Sequence, residues 1–205
     1  MTAAVTEELS RLPPTRVCCR RAEVATLLRF AATLHTTGGL LTLTAVLDAE
    51  PLARRVQTAL TQLYGCPSDI QVLPTLAGHP GGYRLRVAGV PGATLGRQTG
   101  LVDARGHPIR GLPRTVVAGG MCDAAAAWRG AFMATGMLTE PTRSPTLDIR
   151  CPTTETALAL VGAARRLGIT TKTRQHHGAE YVACRDPDAI GTLLQRMGAP
   201  LTLGR

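Results

Sequence analysis

Histidine, cysteine and arginine are the side chains here that could do chemistry, and their positions limit each of them. His176 and His177 are adjacent, so in an extended strand their rings point to opposite faces and cannot chelate one metal together. His35, His79 and His107 are dispersed and are expected on the surface or in turns. Six cysteines (Cys18, Cys19, Cys66, Cys122, Cys151 and Cys184) include no C-x-x-C pair, so metal-site spacing is absent. Cys18 and Cys19 also stand too close in sequence to bridge comfortably. All six are expected to be small buried or idle thiols in a reducing compartment. No G-x-S-x-G, P-loop, G-x-G-x-x-G or H-E-x-x-H pattern occurs. Catalytic residues, a bound metal and a cofactor are therefore not expected.

Arginine offers more. The net charge is +9 at pH 7, and Lys172 is the only lysine among 23 basic residues. A planar guanidinium fork suits bidentate contact with phosphate, so an anionic partner such as nucleic acid is one expectation. The plain alternative is a set of solvated arginines that reflects an Arg- and Ala-rich composition. Arg84 and Arg86 fall on one strand face, opposite Tyr83, Leu85 and Val87, while Lys172, Arg174 and His176 share a face further along. Two such basic ribbons could line a concave saddle and touch phosphates from both sides, or they could be only the wet faces of antiparallel sheets.

Ribbons of this kind need hairpins, and hairpins are legible in both halves. In the second half Asp123 can cap a helix to about Thr135, with Gly136 stopping it. A short extended piece over 137–139, a turn over 141–145 and a strand over 146–151 follow, with Leu147, Ile149 and Cys151 alternating with Asp148 and Arg150. Thr153 caps a helix with Glu155 in its first turn and Gly168 after its end. A second hairpin joins 169–175 to 180–184 through a turn near Gly178. Asp186-Pro187 then opens a helix whose Ile190, Leu193, Leu194 and Met197 lie at i, i+3, i+4 and i+7. The first half gives the same order more faintly. A helix over 21–34 precedes a turn at Gly38-Gly39 and a strand over 40–47. Asp48 caps a helix ending near Gly65, with Pro51 in its first turn. A hairpin follows from 70–73 and 82–88 around a turn at 78–81, then a short helix over 91–98. Residues 99–121 read as a Gly- and Pro-rich linker. Five elements recur in order, which predicts a duplicated α+β chain with repeats at 1–98 and 122–205.

Hydrophobic residues make up 44% of the chain and aromatics 3%, so the core is expected to be Leu, Val and Ala in the main. No apolar run approaches a membrane span, and the N-terminus carries Glu7 and Glu8 in place of a basic, apolar leader. A soluble cytoplasmic chain is expected.

Helix, hairpin, helix, hairpin, helix, twice over, resembles the LAGLIDADG homing-endonuclease fold, αββαββα repeats related by a pseudo-two-fold with antiparallel sheets forming a saddle. The closer resemblance is to the WhiA-type sporulation regulators. It is carried by Cys18-Cys19-Arg20-Arg21-Ala22-Glu23, Leu27-Leu28-Arg29-Phe30-Ala31, Ala53-Arg54-Arg55, Leu63-Tyr64-Gly65 and the run from Arg97 to Gly106. It continues through Ile109-Arg110-Gly111-Leu112-Pro113, Ala127-Trp128-Arg129-Gly130-Ala131-Phe132, Leu138-Thr139-Glu140-Pro141 and the run from Ala157 to Gly168. It thus covers nearly the whole chain.

Homing endonucleases of this fold place an acidic metal ligand at the foot of each central helix. The resemblance aligns Ala31 and Thr135 with those positions, and neither supplies a carboxylate. Glu140 lies beyond the helix and is read as a structural or surface residue. The resemblance therefore implies a catalytically inactive domain of a transcription regulator of sporulation and cell division, nucleoid-associated and monomeric. Its repeat-interface helices would carry Leu28, Ala31, Gly130 and Ala134, with Trp128 and Phe132 anchoring the core. Such a domain would give auxiliary DNA contact or dock to the transcription machinery. The alternative is a protein-interaction module that binds RNA polymerase or a partner regulator without DNA. Family members continue into a helix-turn-helix domain. Since this sequence stops at Arg205, a truncated or short natural relative is expected, without the element that reads an operator.

Overall fold

The computed structural model describes residues 1–76, 81–139 and 145–200. The expected turns at 78–81 and 141–145, His79 and Glu140 lie wholly or largely outside them. In chain order the elements are α1 (Thr2–Arg11), α2 (Val17–Ala31), β1 (Ala32–Thr37), β2 (Leu40–Leu47), α3 (Glu50–Tyr64), β3 (Asp69–Leu73), β4 (Gly82–Val87) and α4 (Gly89–Gln98). After the four-residue α5 (Arg114–Val117) come α6 (Met121–Thr135), β5 (Gly136–Leu138), β6 (Leu147–Cys151), α7 (Thr154–Arg166), β7 (Lys172–His176), β8 (Ala179–Cys184) and α8 (Pro187–Met197). This is α+β, with one αββαββα sequence of elements after another. By contacts the chain divides into a unit of residues 31–109 and a unit of residues 1–30 with 110–205.

In the unit of 31–109, an antiparallel sheet has the order β1-β2-β4-β3. Strand alternation puts Leu41, Leu43, Ala45, Leu47, Leu85 and Val87 on its buried face, where α3 and α4 cover it. The expected helix over 21–34 is corrected here: α2 stops at Ala31 and the next residues form β1. Thr33, Thr36 and Thr37 are stiff at χ1 and favour a strand. Gly38 and Gly39, with φ of 58° and 77°, form the two-residue turn that pairs β1 with β2 from Thr37↔Leu40 to Ala32↔Ala45. Cross-strand pairing thus overrides a helical reading of His35's neighbourhood. Asp48 is also corrected, because the residue before α3 is Ala49 and no side chain caps that end.

The other unit carries a second antiparallel sheet in the order β5-β6-β8-β7. Leu147, Ile149, Cys151, Val182 and Cys184 line its buried face. The helix punctuation read from sequence holds at α7, where the Thr153 hydroxyl accepts from the Thr156 N–H, and at α8, where Asp186 caps and Gly198 closes with φ of 88°. Asp123 acts from inside its helix: its carboxylate accepts from the Gly120 N–H, three residues back. Trp128 and Phe132 are fully buried, and the Trp128 indole donates to the Leu160 carbonyl at 3.1 Å. Helix α1, which the sequence reading did not anticipate, buries Val5 and Leu9 and contacts α6.

Helices α2 and α6 approach closely because residue 130 is glycine. A Cβ there would overlap the Glu23 carbonyl oxygen and stand 2.9 Å from the Leu27 nitrogen. Beside it, the buried Arg129 donates from Nε to Glu23 Oε2 at 2.7 Å. Its Nη2 donates to the Leu9 and Leu12 carbonyls at 2.9 and 2.6 Å, and its Nη1 to the Met197 carbonyl. One guanidinium therefore joins α6 to α2, the end of α1 and the end of α8.

Gly130→Ala should destabilise the chain by about 1–3 kcal/mol through backbone overlap. Gly162→Ala, on an open face of α7, should stabilise it by about 0.5–1 kcal/mol. Urea unfolding of the two variants beside the parent checks both signs.

Candidate nucleic-acid interface

Strand register fixes which side chains share the outward faces. In the unit of 31–109, Arg86 pairs with Thr44 on β2 and Asp69 on β3, while Arg84 pairs with Val46 and Gln71. Directly paired residues lie on one face, so the outward surface reads Thr42, Thr44 and Val46 beside Arg84 and Arg86, then Asp69 and Gln71. Arg86 is exposed. Arg84 is half-buried and donates from Nη1 to Gln71 Oε1 at 3.2 Å. A shallow cleft of ≈ 400 Å³ opens along Ser68, Asp69, Gln71, Arg84 and Arg86.

The other sheet presents Lys172, Arg174 and His176 on β7, with Tyr181 and Ala183 on β8 and Asp148 and Arg150 on β6. Lys172, His176 and Arg150 are exposed. Arg174 is engaged differently. Its Nη2 lies 3.1 Å from Asp148 Oδ2, and its guanidinium carbon sits 5.2 Å from the Tyr181 ring centroid. Alternation puts Asp148 on the outward face, yet it is only 7% exposed. Met137 and Ala183 flank it across the sheet, and Arg174 covers it. Its Oδ1 and the Arg174 Nε are buried without hydrogen-bond partners. Arg174 is thus partly committed to neutralising a buried carboxylate.

The two basic ribbons do not occupy equivalent strands. Arg84 and Arg86 stand on β4, an inner strand, whereas Lys172, Arg174 and His176 stand on β7, an edge strand. The edge strand of the other sheet, β3, has Asp69 and Gln71 at its outward positions. The His176-His177 reading is also corrected. His176 ends β7, and His177 turns the chain with φ of 48° beside Gly178, so the two rings lie 4.1 Å apart rather than on opposite faces.

Ala31 and Thr135 are the last residues of α2 and α6, both fifteen residues long. The Thr135 hydroxyl donates to the Arg150 carbonyl at 2.7 Å. A cleft of ≈ 550 Å³ beside it is lined by Phe30, Arg110, Arg150, Thr153 and Glu180. Arg110 pairs with Glu155 at 3.2 Å. The backbone N–H of Glu155 itself, then the Thr153 hydroxyl and Arg110, hold the Glu155 carboxyl below its ordinary range. Two cations line this cleft, and its one lining carboxylate, Glu180, already accepts from Thr154 and Gln175. That environment opposes a hard divalent cation.

Three cysteines read as idle converge at the opposite ends of the same helices. The ligand atoms of Cys18, Cys19, Cys122 and Asp123 all lie within 4.8 Å of one another. No spacing pattern shows this, because the residues come as two adjacent pairs from separate helices.

Comparison with known proteins identifies two family models in order along the chain. The WhiA N-terminal LAGLIDADG-like domain matches residues 17–102, and the WhiA LAGLIDADG-like domain matches residues 124–204. The probable cell division protein WhiA of Acidothermus cellulolyticus is 56% identical over 200 residues, covering 97% of this chain and 61% of that protein. Its counterpart in Streptomyces coelicolor is 53% identical over 205 residues, with the same coverage. The chain thus spans about 61% of the length of these relatives. Among solved structures, full-length DUF199/WhiA from Thermatoga maritima superposes with a TM-score of 0.73 at 14% identity, over 98% of this chain and 62% of that one. The homing endonuclease I-DmoI in complex with DNA and Mn gives 0.62 at 16% identity, over 89% and 98%. At such identities the likeness is one of fold, and that fold is the LAGLIDADG type.

Arg174→Ala should cost about 1–3 kcal/mol by leaving the Asp148 carboxylate buried and unpaired. Lys172→Ala on the same strand should stay within about 0.5 kcal/mol of the parent. Equal losses in urea unfolding would remove the structural role given to Arg174.

Proposed function

The chain belongs to the WhiA family, and we propose that its two LAGLIDADG-like repeats, residues 1–98 and 122–205 joined by 99–121, act as a DNA-contacting scaffold without nuclease chemistry. The observation that carries this reading is the combination of basic outward sheet faces with helix ends that bear Ala31 and Thr135 in place of carboxylates. Metal-assisted hydrolysis of a phosphodiester needs hard oxygen ligands beside the scissile bond, and the Thr135 cleft offers arginines instead. Contact with a duplex needs only cations at phosphate spacing, and Arg84, Arg86 and Lys172 can supply them, with Arg174 and His176 beside them. The contact is with backbone phosphates, so it is independent of base sequence. Its role is auxiliary, inside a monomeric, nucleoid-associated regulator of cell division and sporulation; the relatives' name, probable cell division protein WhiA, supports the cell-division part of that setting.

One observation favours a second reading. Leu40 and Val46 stand about half exposed on the outward face beside Thr42 and Thr44, an apolar element suited to a protein partner such as RNA polymerase or another regulator.

Both readings meet in one titration of the purified chain against a generic duplex at low and near-physiological salt with magnesium present. Binding should weaken steeply with salt and leave the duplex uncut. Each phosphate contact removed in Arg84→Ala, Arg86→Ala and Lys172→Ala should lower the log–log salt slope by about 1. No binding at low salt would transfer the assignment to a protein partner, and magnesium-dependent nicking would overturn the nuclease-free reading.

A further inference from the structure

We propose that Cys18, Cys19, Cys122 and Asp123 form a structural site for one Zn(II) ion, clamping the N-terminal ends of α2 and α6. The site shares no residue with the proposed DNA-contact faces. Helix α2 begins at Val17 and α6 at Met121, so the four residues are the second and third positions of two helices of equal length. The pairing of those helices at Gly130 and Arg129 brings the two adjacent pairs together from more than one hundred residues apart.

The donor set selects the metal. Three sulfurs are too soft for magnesium or calcium, whereas sulfur donors with one carboxylate suit zinc. Geometry agrees with that choice. A tetrahedral ion with Zn–S bonds of about 2.3 Å holds neighbouring sulfurs about 3.8 Å apart. The Cys18 and Cys19 sulfurs are 3.8 Å apart, and all four donor atoms fit within 4.8 Å.

A second, independent observation comes from Asp123. Its Oδ2 accepts from the Gly120 N–H at 3.1 Å, while its Oδ1 is buried with no hydrogen-bond partner. A buried carboxylate oxygen left over beside three thiols is a vacant donor, and burying it without a counter-charge is costly. Both helix N-termini direct their positive dipole ends at the cluster, which favours thiolate and carboxylate there. A disulfide between Cys18 and Cys19 is disfavoured because adjacent Cα atoms stand about 3.8 Å apart, below the usual range for a bridge.

The test uses the reduced chain under anaerobic conditions, loaded with Co(II) and then displaced with Zn(II). One equivalent of Co(II) should give thiolate-to-cobalt charge-transfer bands and the strong visible bands of a tetrahedral ion, both removed by zinc. Zinc at a hundredfold excess over its Kd should raise the Tm by about 5–10 °C. Cys19→Ser and Cys122→Ser should weaken binding more than about 100-fold, beyond the loss typical of outer-shell changes. Asp123→Asn keeps an acceptor for Gly120 and should weaken it less, while Cys66→Ala should leave it unchanged. A fully reduced parent chain with no thiolate–cobalt bands overturns the site, whatever the variants do. So does binding that survives loss of both Cys19 and Cys122.

Discussion

Arg129 is buried, carries a permanent charge and can donate hydrogen bonds but accept none, so the chain around it has to supply acceptors or fail to fold. Three elements do so. Glu23 on α2 provides the counter-charge, and carbonyls from the end of α1 and from Met197 on α8 accept from Nη2 and Nη1. Those carbonyls lie at or next to helix ends, where the last turn leaves acceptors without partners. The same buried charge thus satisfies two helix termini and fixes the register of α2 on α6. Gly130, one residue on, removes the side chain that would hold the helices apart. The segment preceding β1 is held against the second repeat by this knot.

Once α2 and α6 are paired, their two ends acquire separate chemistry. The C-terminal ends carry Ala31 and Thr135 and lead directly into β1 and β5. The N-terminal ends carry the thiols and the Asp123 carboxylate. The outward sheet faces then differ between repeats. Arg84 and Arg86 occupy an inner strand of one sheet, and Lys172 and Arg174 an edge strand of the other, with Arg174 held by Asp148 and Tyr181. The two repeats share a backbone plan, but their basic side chains stand on different strands.

Much of that plan is legible in the sequence wherever local chemistry decides it. Thr153, Asp186-Pro187 and Gly198 mark helix ends by capping and by left-handed φ, and the structure follows them closely. The alternation of Leu147, Ile149 and Cys151 gives β6 directly. What sequence reading misses depends on distant partners. The residues after Ala31 look helical until Gly38-Gly39 pairs them with β2, and Asp148 looks exposed until Arg174 covers it. Helix α1 buries only Val5, Leu9 and Ser10, too weak a stripe to announce itself. The thiol cluster is invisible to any spacing rule, because its two pairs meet only after α2 and α6 have docked. The arginines of the sheet faces can be placed by alternation alone, but their unequal freedom cannot.

A double-mutant cycle on Glu23→Gln and Arg129→Met, followed by urea unfolding, tests the dependence of this scaffold on its buried charge most directly. Each single change should cost about 3–5 kcal/mol, since it removes one side of a buried ion pair. The double change should cost less than the sum by about 1–3 kcal/mol. Losses that add within about 0.5 kcal/mol would contradict the account, because α2 and α6 would then be held together by something other than the ion pair.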